Sequence, residues 1–532
     1  MKCLLKTILI SVVVGVATAR ASSLDNLDTI GVTLLRATTT NLNGAGVRVG
    51  QAEGDDAGTP PGVNTWEVRP NSIGQPTNLF TWIKGSSPYL LPPGTANTYT
   101  NSLGLESGHA EFVADNFYGI TNGVATNVAH VDNYEANTFI EYYVGFSGVA
   151  HAIPERVVNQ SFTFGVYDTN VDQTFDNYAA QNNVLFISGA GFDGQPVYSP
   201  ATCYNGIGVG STAFNSPPGP TSDGRSKPDI IASEAAETSY TAPQVAGAAA
   251  ILLQAGTRGD GGSDTNSATD IRTVKALLLN GAVKPSNWTN SPSQPLHFRY
   301  GAGMLNIFNS YKQLSGGKRT NFVFATVFTN AAHPPIVVTN SISTLSAWNF
   351  TNITSGATND GVNHYFFNVT NSSSSAAFTA AITLVWNRQQ NQSAINNLNL
   401  FLYNCANSNL VICSTSLVDN VEHIFITQVP SGRYDLQVWK AGGGGIISAS
   451  ETYALAWNFS SETLSATKSG TNLNLTWPAY PAGFAVAAAA NLTSPNWQTN
   501  NLPVPVLTNG QNLISVPMTN AVQFFRLQTP NF

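Results

Sequence analysis

Charge is the scarcest commodity in this 532-residue chain. Only 10% of its residues are Asp, Glu, Lys or Arg, well below the usual ~25%. The 23 Lys and Arg against 30 Asp and Glu leave a net charge of -7. No basic cluster stands out, which argues against nucleic acid as a partner. Cysteine occurs four times and methionine three times, so a disulfide-dense scaffold is excluded. Beyond the first residues no apolar run reaches the ~20 residues of a membrane-spanning helix. His-Glu-x-x-His, Cys-x-x-Cys and phosphate-loop patterns are missing, which removes the usual metal, redox and nucleotide readings. Gly206-Ile207-Gly208-Val209-Gly210 imitates a dinucleotide fingerprint but lacks its third spacing.

What is present is 42% hydrophobic residues, enough for packed cores. The remainder is rich in Asn, Ser, Thr and Gly, as in a loop-rich extracellular protein. The length suggests about three domains. Lys2 and Lys6, the short apolar run Thr7 to Ala17 and the small residues Ala17, Ala19 and Ala21 read as a signal peptide over residues 1–21; an uncleaved anchor is the alternative. The expected location is secreted or cell surface. Cys3 leaves with the signal. Cys405 and Cys413 flank the turn-rich Ala406-Asn407-Ser408-Asn409, and two strands joined there could bring them together as a hairpin disulfide; two unpaired thiols are the alternative. Cys203 reads as a small core residue.

Residues 22–318 carry an α/β pattern. Val47–Val49, Val184–Ser188 and Ile207–Val209 read as buried strands, and Ala242–Gln254 and Ile271–Leu279 as helices. Strands alternating with helices predict a parallel sheet with helices on both faces. Ser315-Gly316-Gly317-Lys318 reads as a linker. Over 319–461 alternation replaces helical periodicity, as in Leu398–Tyr403 and Tyr434–Trp439, which predicts a β-sandwich. Residues 462–532 read as a small third β-module. Asn-x-Ser/Thr triplets are frequent, as chance dictates in such a composition, and imply no glycosylation.

One segment carries chemistry. In Thr238-Ser239-Tyr240-Thr241-Ala242-Pro243-Gln244-Val245-Ala246-Gly247 a serine opens an apolar helix, where the backbone N–H and helix dipole can stabilise an oxyanion. An N-cap serine is the bland alternative. The segment resembles the nucleophile motif of the subtilisin-like serine proteases, the subtilases, at Thr238, Ser239, Ala242, Pro243, Val245, Ala246 and Gly247. Collinear with it, Gly224-Arg225-Ser226-Lys227-Pro228-Asp229 is similar to that family's Gly-Arg-x-Lys-Pro-Asp. Ser107-Gly108-His109-Ala110-Glu111-Phe112-Val113-Ala114 resembles its histidine segment, with Gly123-Val124-Ala125 following. Val158-Asn159-Gln160-Ser161 resembles the substrate-wall strand, and Arg299 to Asn306 the closing segment.

The resemblance implies Ser239 as nucleophile and His109 as general base. The family's first strand ends on an aspartate. Here Gly46 to Gly54 offers Glu53 or Ala52, depending on where the count begins. Strand alternation groups Val47, Val49, Gln51 and Glu53 on one face, which makes Glu53 the expected orienting carboxylate, with Asp55 and Asp56 as substitutes. The resemblance also implies a substrate groove along Asn159, Ser161 and Phe162, with Phe162 near the primary pocket. At the family's oxyanion asparagine stands Phe192, leaving the Ser239 backbone N–H as the remaining donor. Glu237 replaces the usual glycine before Thr-Ser, and the connection between Asp229 and Thr238 is short.

No cofactor is expected, and no metal site. Asp260, Asp264 and Asp270 in a Gly-rich loop leave structural calcium open, although they lack EF-hand spacing. The region around Leu398–Tyr403 and Val418–Ile424 resembles the pre-peptidase-type β-sandwich of secreted proteases, and 462–532 a terminal module of exported bacterial proteins. These modules are candidates for contact with a cell surface or polysaccharide. The expectation is a monomeric secreted serine endopeptidase acting on polypeptides through Ser239, His109 and Glu53. The alternative is an inactive subtilase-fold scaffold for extracellular binding.

Overall fold

The computed structural model describes residues 23–57, 64–86, 89–90, 106–212, 216–233, 237–323, 340–370, 377–443, 446–493, 496–499, 501–518 and 523–529. The signal-peptide segment lies outside them.

Seven parallel strands form the first sheet: β1 (Arg48–Glu53), β2 (Phe80–Ile83), β3 (His130–Glu135), β4 (Val157–Gln160), β5 (Leu185–Gly189), β6 (Ile207–Ser211) and β7 (Ile230–Ala232). Their order is β7-β6-β5-β4-β1-β3-β2. The strands are buried nearly end to end, as expected of a parallel sheet covered on both faces. Its main helices are α1 (Gly108–Tyr118), α2 (Thr169–Asn182), α3 (Thr238–Arg258), α4 (Ile271–Asn280) and α5 (Ile307–Ser315). Helix α3 is apolar on nearly every side and buried along most of its length, which makes it the central helix. Gly247 allows its close approach to α1's exit loop, because a Cβ there would lie 2.6 Å from Val124. In such open sheets, ligand-contacting residues collect beyond the carboxyl ends of the strands. Glu53, Ser161, Phe192 and Ser233 all lie at or just past those ends.

The second region pairs a four-stranded antiparallel sheet (346–354, 450–460, 378–386, 421–429) with a five-stranded one (322–323, 361–369, 432–440, 398–404, 410–414). A core including Tyr365, Phe367, Leu400, Leu436 and Trp457 lies between them. This sandwich is packed onto the first region. Trp348, Val385, Val421, Ala454 and Ala456 belong to the same buried cluster as α3 and the parallel sheet. Residues 465–528 add a four-stranded and a two-stranded antiparallel sheet over a small core with Leu475, Trp477, Val486 and Ile514.

The Ser315–Lys318 segment is closely packed: a Cβ on Gly316 would strike the carbonyl of Ser346, and Arg319 N–H donates to Trp348 O. One expectation needs correction. Cys405 and Cys413 form the expected hairpin but remain free thiols. The register sets Cys413 opposite Phe401. Cys405 lies four residues beyond Phe401, one past the end of its strand at Asn404, which sets it roughly 13 Å away at ~3.3 Å per residue, beyond the ~7 Å reach of a disulfide.

Candidate active site

Strand β1 runs between β3 and β4 and delivers Glu53 at its carboxyl end. The Glu53 side chain is 1% exposed. Across from it, Ser107 caps α1 by accepting from Ala110 N–H at 3.3 Å, which sets His109 in the first helical turn. His109 Nδ1 lies 2.9 Å from Glu53 Oε2. A cation is disfavoured at a helix N-terminus, and the buried carboxylate offsets that penalty for a protonated imidazole.

The other carboxylate oxygen of Glu53 is held too. Gln51, two residues earlier on the same face, donates from Nε2 to Glu53 Oε1 at 2.8 Å and to Ala110 O at 3.0 Å. Gln51 Oε1 in turn accepts from the Tyr118 hydroxyl. Burial, reinforced by the Glu53 charge, pushes the Tyr118 phenol well above its ordinary range, so it stays a neutral donor. The sequence placed Gln51 on this face but gave no sign of this role. Its amide, unlike a carboxylate, can donate to Glu53 while accepting from Tyr118.

Ser239 is the second residue of α3 and is 8% exposed. Glu237 at the N-cap provides no side-chain cap. Thr238 Oγ1 accepts from Gly191 N–H at 3.1 Å and donates to Gly191 O at 2.9 Å. This one hydroxyl joins the start of α3 to the turn that follows β5, and so fixes where Phe192 sits relative to Ser239. Phe192 is half-buried and has no side-chain donor. Pro243 removes the N–H that would bond Ser239 O four residues back. Ser161 supplies a donor instead, with its Oγ 2.8 Å from Ser239 O. Asn159 Nδ2 donates to Ser161 Oγ at 2.9 Å, so the strand end and the helix start are one network. Gln160 faces the other side of the sheet, where its Oε1 accepts from Ser188. Phe162 is buried with its ring centroid 6.5 Å from that of Phe164.

Helices α1 and α3 bring the two halves together. The ring of Tyr240 lies 6.0 Å from that of His109, and Gln244 Nε2 donates to Asn116 Oδ1 at 3.2 Å. Asp55 lies just past Glu53. Asp56 belongs to a two-residue strand paired with Asn64–Thr65. Asp260, Asp264 and Asp270 are engaged by Arg258, Lys318 and Arg272; Asp264 and Asp270 also cap the helices that follow them. Among the described residues no group of three or more His, Cys, Asp and Glu is arranged to hold a metal ion.

Residues 106–303 match the family model described as "Subtilase family". That stretch contains His109 and Ser239 and begins after β1. No curated protein sequence matches the chain. Among solved structures, tripeptidyl peptidase 2 is similar at 13% identity over 72% of this chain and 44% of that one, with a TM-score of 0.31. Latent dimeric PorU from Porphyromonas gingivalis follows at 10% identity, 41% and 22% coverage and a TM-score of 0.15. A GH2 β-galacturonidase from Eisenbergiella tayi aligns at 8% identity, 40% and 38% coverage and a TM-score of 0.14. This chain thus spans less than half the length of each of these structures. The stretch that matches the subtilase family model lies in a region built on a parallel sheet flanked by helices and followed by antiparallel β-modules.

Proposed function

We propose that this protein is a secreted serine endopeptidase in which Ser239 attacks the peptide carbonyl. His109 accepts the serine proton at Nε2 and returns it to the leaving amine. Glu53 holds the Nδ1–H tautomer and stabilises the imidazolium as it forms. The observation that carries the reading is the buried 2.9 Å pair between His109 Nδ1 and Glu53 Oε2; Ser239 opens the buried helix whose next residue, Tyr240, sets its ring 6.0 Å from that of His109. The Ser239 N–H at that helix start is the oxyanion donor. Phe192 supplies none, so the hole is impaired; losing one such donor costs ~10²–10³ in kcat.

Residues 1–21 act as the export signal in this reading. The sandwich is an accessory domain of the pre-peptidase type, supported by its two packed antiparallel sheets. The working form is a monomer whose C-terminal modules contact a cell surface or polysaccharide. One observation favours a second reading: an apolar ring at the oxyanion position suits a subtilase fold kept as an extracellular binding scaffold. Treatment of the full chain with a fluorophosphonate probe decides between them. Label on Ser239, abolished by Ser239→Ala, supports the enzyme. An unlabelled, folded protein supports the scaffold.

A further inference from the structure

Helix α1 is tied to strand β1 near both of its ends. At the start, His109 Nδ1 lies 2.9 Å from Glu53 Oε2. At the end, Tyr118 donates its hydroxyl proton to Gln51 Oε1. Helical side chains point back toward the helix start, so the Tyr118 ring reaches along α1 toward the His109 end. Gln51 marks the extent of that reach, since its amide also bonds Ala110 O in the first turn. Phe80 and Phe117 flank the ring, with centroids 5.7 Å and 5.1 Å away. Tyr118 and Gln51 are both fully buried, so bulk water does not compete for these bonds.

The hydrogen bonds run in one direction. Burial keeps the Tyr118 phenol protonated, so its hydroxyl donates. Gln51 takes that proton at its oxygen. Its nitrogen gives one N–H to Ala110 O at 3.0 Å and the other to Glu53 Oε1 at 2.8 Å, which uses the whole amide. A carboxylate only accepts. Glu53 is therefore met by Gln51 at Oε1 and by the imidazole at Oε2, and a neutral His109 carries its proton on Nδ1. That leaves Nε2 with a lone pair, the form a general base requires.

We propose that Tyr118 is a positioning residue for the reaction: through Gln51 it holds the Glu53 carboxylate, and so the tautomer of His109. This rests on the proteolytic reading above and adds to it a residue at the far end of the histidine's own helix. The need follows from side-chain length. Glutamate has several torsions, and a carboxylate held only by the imidazole would swing with it. Gln51 has the same freedom unless its oxygen is held as well, and Tyr118 is the group that holds it.

The test uses the full chain and Tyr118→Phe, which keeps the ring and removes only the hydroxyl. The rate at which the fluorophosphonate probe labels Ser239 is expected to fall about three- to tenfold, the scale of one hydrogen bond. Gln51→Leu should lose more, and the double variant no more than Gln51→Leu alone, because the two residues act as one chain. Nitrogen NMR of His109, assigned by its loss in His109→Ala, gives a readout independent of the serine. The wild type should carry Nδ1–H, and both variants a growing share of Nε2–H, which a merely structural role would not produce. A folded Tyr118→Phe chain with the wild-type labelling rate and tautomer overturns the proposal, as does a double variant whose losses add. Should Tyr118→Phe not fold, an unchanged tautomer in Gln51→Leu overturns it instead. A wild-type Ser239 that takes no label overturns the proteolytic reading and this inference with it.

Discussion

Ser161 Oγ donates a 2.8 Å hydrogen bond to the carbonyl of the proposed nucleophile, Ser239. Pro243 creates the need for it, since proline has no N–H to offer that carbonyl. A side chain from the end of β4 thereby fixes the height of Ser239 against the sheet. Ser161→Ala should leave Ser239 O and Asn159 Nδ2 without this partner. Burying unsatisfied polar groups costs about 1–3 kcal/mol, so the midpoint of denaturant unfolding should fall. Turnover should fall more than KM rises, because the displaced group acts in the transition state. A variant with wild-type kcat and stability would show that the bond does not position Ser239.

The carboxylate assignment gives a sharper comparison. Glu53→Gln keeps shape but loses the charge and can present the wrong hydrogen-bonding end to His109 Nδ1. Replacing such a carboxylate by its amide costs ~10⁴ in kcat. Asp55→Asn, just past the strand, should cost little. Gln51→Leu should fall between them and shift the pH–rate profile, since it removes the donor to Glu53 Oε1 without touching the imidazole. Peptide-cleavage kinetics against pH rank the three. A larger loss in Asp55→Asn than in Glu53→Gln would reassign the orienting group.

Much of this arrangement is legible in the chain because parallel strands alternate strictly. Alternation puts Gln51 and Glu53 on one face and Asn159 with Ser161 on one face, and these are the side chains the structure brings to His109 and Ser239. Helix α3 is equally legible from its unbroken apolar composition. What cannot be read is set by register and by contacts between distant segments. Cys405 and Cys413 look like hairpin partners until the ladder sets Cys413 against Phe401. Ser315–Lys318 has a linker's composition, yet the close approach of Gly316 to Ser346 makes small residues a packing requirement there. Tyr118 reads only as a helical aromatic, and its bond to Gln51 exists only once α1 lies across β1.

Phe192 offers a gain-of-function test. The hydroxyl of Thr238 holds the adjacent Gly191 at both its N–H and its carbonyl, so the backbone at this position is anchored. Gln160 is turned to the opposite face and cannot replace the missing donor. Phe192→Asn should therefore raise kcat, toward the ~10²-fold that one oxyanion donor contributes, with KM changing less. The half-buried ring leaves space behind, so a modest drop in thermal stability should accompany the gain. A folded variant with unchanged or lower kcat, whose Ser239 still reacts with fluorophosphonate, would show that another group already stabilises the oxyanion.

The last prediction concerns the joint between the parallel-sheet region and the sandwich. Arg388, from the sandwich, places its guanidinium 2.7 Å from Asp176 Oδ2 on α2 and over the ring of Tyr204 at 5.1 Å. Its backbone exchanges two hydrogen bonds with the Asn205 side chain, at 2.8 and 2.9 Å. Nearby, Asp419 accepts from Ser226 N–H at 2.7 Å, and Asn420 donates to Tyr204 O at 2.8 Å. Burial raises the Asp176 carboxyl above its ordinary range, and Arg388 is the main opposing influence. Arg388→Met would leave that carboxylate buried without its cation, at a cost of about 3–5 kcal/mol. With its folded pKa raised further above the unfolded value, Asp176 would bind a proton more readily folded than unfolded. The loss should therefore be smallest in acid, below the unfolded pKa near 4, and should grow as pH rises through the folded pKa. Asp176→Asn in the same chain should remove the pH dependence and restore most of the stability. Because the two regions share one buried cluster, both should unfold in a single transition in every variant. Separate transitions for the sandwich and the parallel-sheet region, or an Arg388→Met loss that does not change with pH, would show that the sandwich is a detachable module and that Arg388 does not neutralise Asp176.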